Sequence, residues 1–202
     1  MIYVNGDSFS NAVGYLDNPG DCWPYYLIET TDPVVVDAIG GGSNYRIVRT
    51  STETLSRIYP RVKHAIFAWT EISRWEKPGG QTLEGEQYFR HQHHLVEDET
   101  ILIENFLSQI LTLNNLCDAL KINAWHMHSV TAPDLNKIDN DLNRQRLQNV
   151  VEYVDDTRWI LPFNTSITAW ATENKVPRTE CNHLTKEGNA ILASVVKNAL
   201  QF

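Results

Sequence analysis

The chain has 202 residues, a formal net charge of -8, 42% hydrophobic and 21% charged residues, enough apolar content for one folded domain and too much for a disordered chain. No run of Lys or Arg offsets the acidity, which argues against binding a phosphate backbone, and no stretch approaches the ~20 apolar residues of a membrane helix. The three cysteines (Cys22, Cys117 and Cys181) are scattered and odd in number, as free thiols in a reducing compartment are. The first residues, MIYVNGDSF, lack a basic region followed by a long apolar one, so the expected site of synthesis is cytoplasmic, without a signal peptide.

In chain order, MIYV (1–4) reads as a first strand and CWPYYLIETT (22–31) as a short helix. PVVVDAI (33–39) is β-branched and continuous, the pattern of a buried parallel strand. A helix follows over 43–59, with Ile47, Thr54, Leu55 and Ile58 on one side, then a third strand, VKHAIFAW (62–69). Residues 74–98 break the alternation and read as an irregular insertion within a single domain spanning 1–202. Over 99–120, Ile103, Phe106, Leu107, Ile110, Leu113, Cys117 and Leu120 recur at helical spacing. INAWHMH (122–128) is a fourth strand, 133–157 is irregular, and helices close the pattern near 165–173 and 185–200, the last with Thr185 as its N-cap. Strands alternating with helices predict a three-layer α/β/α sandwich around a mostly parallel sheet, whose ligands bind beyond the carboxyl ends of the strands.

Three segments fall just after predicted strands and so meet at that rim: Gly6-Asp7-Ser8, Gly40-Gly41-Gly42 and Trp69-Thr70-Glu71. A serine on a glycine turn is either a bland loop or a nucleophile, and a nucleophile needs a base, an orienting acid and oxyanion donors. His183 lies in a loop just before Thr185, with Glu180 three residues ahead of it, the makings of an oriented general base. The glycine run lacks the G-x-G-x-x-G spacing and has no lysine beside it, so it is a weak nucleotide signature and a better source of backbone donors.

Gly6-Asp7-Ser8-Phe9 resembles the first block of the SGNH (GDSL-type) hydrolases, and Glu180-Cys181-Asn182-His183 is similar to their last block, Asp-x-x-His, with Glu replacing Asp. Asp37-Ala38-Ile39-Gly40-Gly41-Gly42 resembles the second block, which places its backbone donor at Gly42, or at Gly41 if the register slips. The third block, Gly-x-Asn-Asp, is replaced here by Ala68-Trp69-Thr70-Glu71. Thr70 then stands where the family has the oxyanion Asn, and Asn44 is a second candidate for that gap. The resemblance implies a flavodoxin-like fold and a serine esterase without metal or cofactor, acting on a small acyl ester such as an acetylated carbohydrate. Ser8 would be nucleophile, His183 base and Glu180 acid, with an oxyanion hole from Ser8, Gly42, Asn44 and Thr70, and with Asp7, Trp69 and Glu71 against the substrate. GGSN…R with WTE…R also resembles a divergent phage-type subgroup, which would make the protein virion-associated. The Thr70 replacement leaves a second expectation, a binding module of this fold without turnover.

Other signals point elsewhere. His91, His93 and His94 lie in the insertion without a rigid metal-ligand spacing, and read as a solvated loop. His126 and His128 share one face of the fourth strand, as a buried, hydrogen-bonded pair or as lining of a pocket. Trp69, Trp75, Tyr88 and Phe89 surround the insertion, where they either pack it onto the sheet or stack on a sugar.

Overall fold

The structure is a computed structural model that describes residues 1–11, 16–29, 32–76, 82–83, 99–134, 145, 154 and 158–200. Four parallel strands, β1 (Ile2–Asn5), β2 (Val34–Val36), β3 (His64–Trp69) and β6 (Asn123–His128), form one sheet in the order β2-β1-β3-β6. β4 (Trp75–Glu76) and β5 (Thr82–Leu83) make a separate antiparallel pair at the start of the expected insertion. The rest of that insertion, with Tyr88, Phe89, His91, His93 and His94, lies outside the described residues, as does most of 133–157.

Side-chain alternation along the strands divides the core into two layers. Ile2, Val4, Ile66, Ala68 and Met127 face one side, where they pack with α1 (Trp23–Tyr26), α4 (Ile167–Glu173) and α5 (Lys186–Ala199). Tyr3, Ala65, Phe67, Trp69 and Ala124 face the other, against α2 (Asn44–Ile58) and α3 (Glu99–Ala119). Helices on both faces of a parallel sheet make the three-layer α/β architecture that the alternating pattern predicts. In α3, Ile103, Phe106, Leu107, Ile110, Leu113 and Cys117 are all buried, the stripe that their spacing implies.

Two expectations need correction. The strand expected over 33–39 is only Val34–Val36, and its valines are half-buried because β2 is the sheet edge, bonded to β1 alone. The helix expected over 22–31 shrinks to Trp23–Tyr26 followed by a 3-10 turn at Leu27–Glu29. Its first N–H groups are met from far away: Trp23 N–H donates to Asn189 Oδ1 of α5 at 3.0 Å. Helices α2, α4 and α5 take side-chain caps where the sequence offers them, from Ser43, Ser166 and Thr185.

Candidate active site

β1 ends at Asn5, and the chain turns at Gly6, where any Cβ would lie 2.9 Å from the Ala68 Cβ and 3.0 Å from the Ala68 carbonyl oxygen of neighbouring β3. Only glycine lets the turn pass that close. Asn5 Oδ1 accepts the Gly6 N–H at 2.9 Å, while Asn5 Nδ2 lies 2.8 Å from Thr50 Oγ1 and 2.9 Å from Ser51 Oγ of α2. Arg46 Nη1 donates to the Asp37 carbonyl at 2.9 Å and reaches Asn5 Oδ1 at 3.5 Å. Asn11 Nδ2 donates to the Ala38 carbonyl at 2.7 Å. The Ser8 turn and the glycine turn after β2 are thus tied to each other and to one helix.

Within this frame Ser8 is nearly buried, and its Oγ lies 2.8 Å from His183 Nε2 across 175 positions of sequence. The His183 ring stacks on Phe9, centroids 4.7 Å apart at 23°. Burial holds its pKa below the ordinary 6.5, while a hydrogen bond to the Cys181 carbonyl and the charge of Asp7 act in the opposite sense. At neutral pH the imidazole is therefore uncharged and Nε2 is able to accept the Ser8 proton.

Glu180 is not brought to His183. It is exposed, and among the described residues it makes no hydrogen bond or ion pair with the ring. The physical reason is a tight turn: Asn182 N–H donates to the Thr179 carbonyl at 3.0 Å, with Asn182 in the left-handed region at φ 65°. Glu180 occupies the outer end of that turn. Cys181 instead has its Sγ 3.5 Å from His183 Nδ1.

The oxyanion candidates separate in the same way. Gly42 N–H is already used, donating to the Ile39 carbonyl at 3.0 Å. Asn44 is buried with both ends of its amide engaged, accepting from Thr70 N–H at 2.9 Å and donating to the Thr70 carbonyl at 3.2 Å. It clamps the start of α2 to the end of β3. Thr70 Oγ1 is buried beside the Asp7 carboxyl, together with the Ser129 hydroxyl. The Ser8, Gly40 and Gly41 N–H groups donate to no other described residue. Gly41 has a positive φ of 70° and open space where a Cβ would be, and a Cβ on Gly40 would sit 3.9 Å from that of Ser8.

Of the residues expected against substrate, Asp7 and Trp69 are both fully buried. Asp7 Oδ1 accepts the Phe9 N–H at 3.0 Å, and Arg74 Nη1 stands 3.7 Å from Oδ2. Burial raises the Asp7 pKa, and the Phe9 N–H and the Arg74 guanidinium offset it in part. Trp69 belongs to the core, its indole N–H donating to His126 Nδ1 at 3.0 Å. Glu71 is partly exposed and pairs with Arg74 Nε at 3.4 Å. Arg74, the arginine of the WTE…R stretch, bridges the two carboxylates.

His126 and His128 are buried in an aromatic layer with Phe67, Trp69, Trp159 and Phe163. Burial pushes both imidazoles down to about 3, so they are neutral. His126 is hydrogen-bonded on both nitrogens, to Trp69 and to Asn114 Oδ1 at 2.8 Å, whereas His128 is held by ring stacking on Trp159 at 4.8 Å. No group of three or more His, Cys, Asp or Glu suited to a metal ion occurs among the described residues. Nor is any described helix long and apolar enough to cross a membrane.

A parallel three-layer sheet with a serine turn after β1 and a histidine loop before α5 is the fold of the G-D-S-L, or SGNH, esterases and lipolytic proteins. An acetyl xylan esterase, AlAXEase, superposes with a TM-score of 0.57 at 13% identity, covering 99% of this chain and 100% of that one. The psychrotrophic esterase EstA from Pseudoalteromonas sp., in a structure inhibited by monoethylphosphonate, gives 0.56 at 11% identity over 99% and 96%. A member of the lipolytic protein G-D-S-L family from Veillonella parvula gives 0.53 at 12% over 99% and 97%. No family sequence model and no curated protein sequence matches the chain.

Proposed function

We propose that the protein is a serine esterase that removes a small acyl group, such as acetate, from a carbohydrate or similar alcohol. The observation that carries this reading is the 2.8 Å approach of His183 Nε2 to Ser8 Oγ at the carboxyl edge of the sheet. Neutral His183 takes the proton of Ser8 as Oγ bonds to the ester carbonyl carbon. The carbonyl electrons move onto oxygen, held by the main-chain N–H groups of Ser8 and the Gly40-Gly41 turn. As the oxyanion collapses, the C–O bond to the alcohol breaks and the alcohol leaves with the proton carried by His183. Water, activated by the same histidine, then releases the acid from Ser8. With Gly42, Asn44 and Thr70 engaged or turned away, the hole rests on backbone donors, and losing one donor typically lowers rate by about 10²- to 10³-fold. A slow enzyme is the consequence. Glu180 has no part in this scheme.

The acyl-ester assignment is supported by the fold it shares with an acetyl xylan esterase. Its test is treatment with a fluorophosphonate followed by intact-mass measurement, with acetyl-ester hydrolysis assayed in parallel. Wild type is expected to gain one adduct that Ser8→Ala does not, and Ser8→Ala and His183→Gln are each expected to lower kcat by about 10⁴-fold or more. A folded wild-type protein that takes no adduct and hydrolyses no ester would instead be a binding module of this fold.

A further inference from the structure

The end of β3 is where the site lacks a side-chain donor, because Thr70 Oγ1 is buried beside the Asp7 carboxyl. Just beyond it the chain folds back on itself, with Arg74 N–H donating to the Glu71 carbonyl at 3.1 Å. This turn brings the Arg74 side chain to the residue next to the nucleophile, with Nη1 3.7 Å from Asp7 Oδ2. Nε lies 3.4 Å from Glu71 Oε2, and the side chain is 14% exposed. A guanidinium carries five N–H donors in a fixed fork. Here two carboxylates hold it by charge without using those donors up. The Asp7 contact is too long for a hydrogen bond, and the buried Nε has no acceptor aligned with it among the described residues. Asp7 is fully buried, and a buried carboxylate is costly without a cation, which ties the guanidinium to this place.

We propose that Arg74 is a catalytic residue of the esterase, a charged side-chain donor that joins the main-chain N–H groups of Ser8 and the Gly40-Gly41 turn in holding the oxyanion. This deepens the esterase reading above and rests on it. Asp7 and Glu71 are its positioning groups. The arrangement suits a charge that forms during the reaction better than one the substrate brings. Two carboxylates against one cation repel a permanently anionic substrate. The neutral carbonyl of an ester instead meets donors whose hold strengthens as its oxygen turns negative. The same cation opposes protonation of His183, with Asp7 acting in the opposite sense, so Arg74 also favours the neutral base. Its side chain is long and sits on a turn, so it offsets only part of what a short, fixed amide at position 70 would supply. The enzyme is slow with Arg74 and slower without it.

The test compares wild type, Arg74→Gln and Arg74→Lys in acetyl-ester hydrolysis and in the phosphorus NMR spectrum of the fluorophosphonate adduct on Ser8, whose phosphonyl oxygen stands in for the oxyanion. Arg74→Gln is expected to lose about 100-fold in kcat with KM nearly unchanged, the lower end of what one oxyanion donor is worth. Arg74→Lys keeps a cation beside Asp7 but not the fork, and is expected to lose about tenfold. The phosphorus resonance of the adduct is expected to move in both variants, because the group touching the phosphonyl oxygen has changed. A merely structural role would lower the melting temperature and leave that resonance in place. Wild-type kcat in both variants overturns the proposal, as does a loss confined to KM or to melting temperature with the resonance unmoved. Should Arg74→Gln fail to fold, Arg74→Lys decides between the same outcomes. A wild type that takes no adduct and hydrolyses no ester overturns the esterase reading and this proposal with it, whereas failure of the proposal alone leaves a reactive wild type.

Discussion

The two halves of the Ser8–His183 pair are held in contrasting ways. The serine half is anchored in the interior: Asn5, Tyr3, Ser51, Thr50 and Arg46 form a polar network between β1 and α2, with Asn5 and Ser51 fully buried. The histidine half is a surface turn, closed by its own backbone and steadied by one aromatic face. Buried polar networks are costly to disturb because every lost partner leaves a desolvated group behind, whereas a surface turn loses only what the removed contact was worth. Damage on the serine side should therefore appear as instability, and damage on the histidine side as altered chemistry in a stable protein.

That contrast is broken or sharpened by three measurements, from the largest effect to the smallest. Asn5→Ala strips the Gly6 N–H and two α2 hydroxyls, those of Thr50 and Ser51, of a partner, and is expected to cost about 2–3 kcal/mol in a denaturant melt, more than any substitution at Cys181. Equal costs at the two sites would erase the distinction. Next, the pH profile of kcat/KM should rise with pH to a plateau whose midpoint lies below 6.5. The neutral imidazole is the active form and burial favours it, so activity persists into mildly acidic buffer. A midpoint above 6.5 would mean that His183 is stabilised as a cation in the free enzyme. Finally, mild iodoacetamide should modify Cys181 ahead of Cys22 and Cys117, both buried, since burial drives the Cys117 thiol up to about 12 while that of Cys181 is lowered. Peptide mass mapping reads the order directly.

How much of this was legible in the residues depended on how local the cause was. The Gly6-Asp7-Ser8 turn, the Ser43 start of α2 and the Thr185 start of α5 follow from short-range chemistry, and each lies where the sequence puts it. The length of β2 did not, because a valine run carries no mark of whether its strand will be central or at the edge. Asn44 looks like a free polar residue beside a glycine turn until β3 arrives to occupy both ends of its amide. Trp69 follows Phe67 by two on the same strand and so shares its core-facing side, a period-two argument that outweighs its nearness to the strand end. Glu180 was assigned by its spacing from His183, which ignores the chain reversal between them. Asn at 182 was the available clue, as this residue tolerates the left-handed conformation that such a turn requires.

The Asn189 side chain, which caps α1 through Trp23 N–H, also donates to the Leu184 and Thr185 carbonyls next to His183. On the esterase reading, a chain emerging from the ribosome carries Ser8 without its base for most of its synthesis. The pair forms only when α5 docks, with the Asn189 amide, the Lys186–Asp21 ion pair and the Phe9–His183 stack joining the early and late segments.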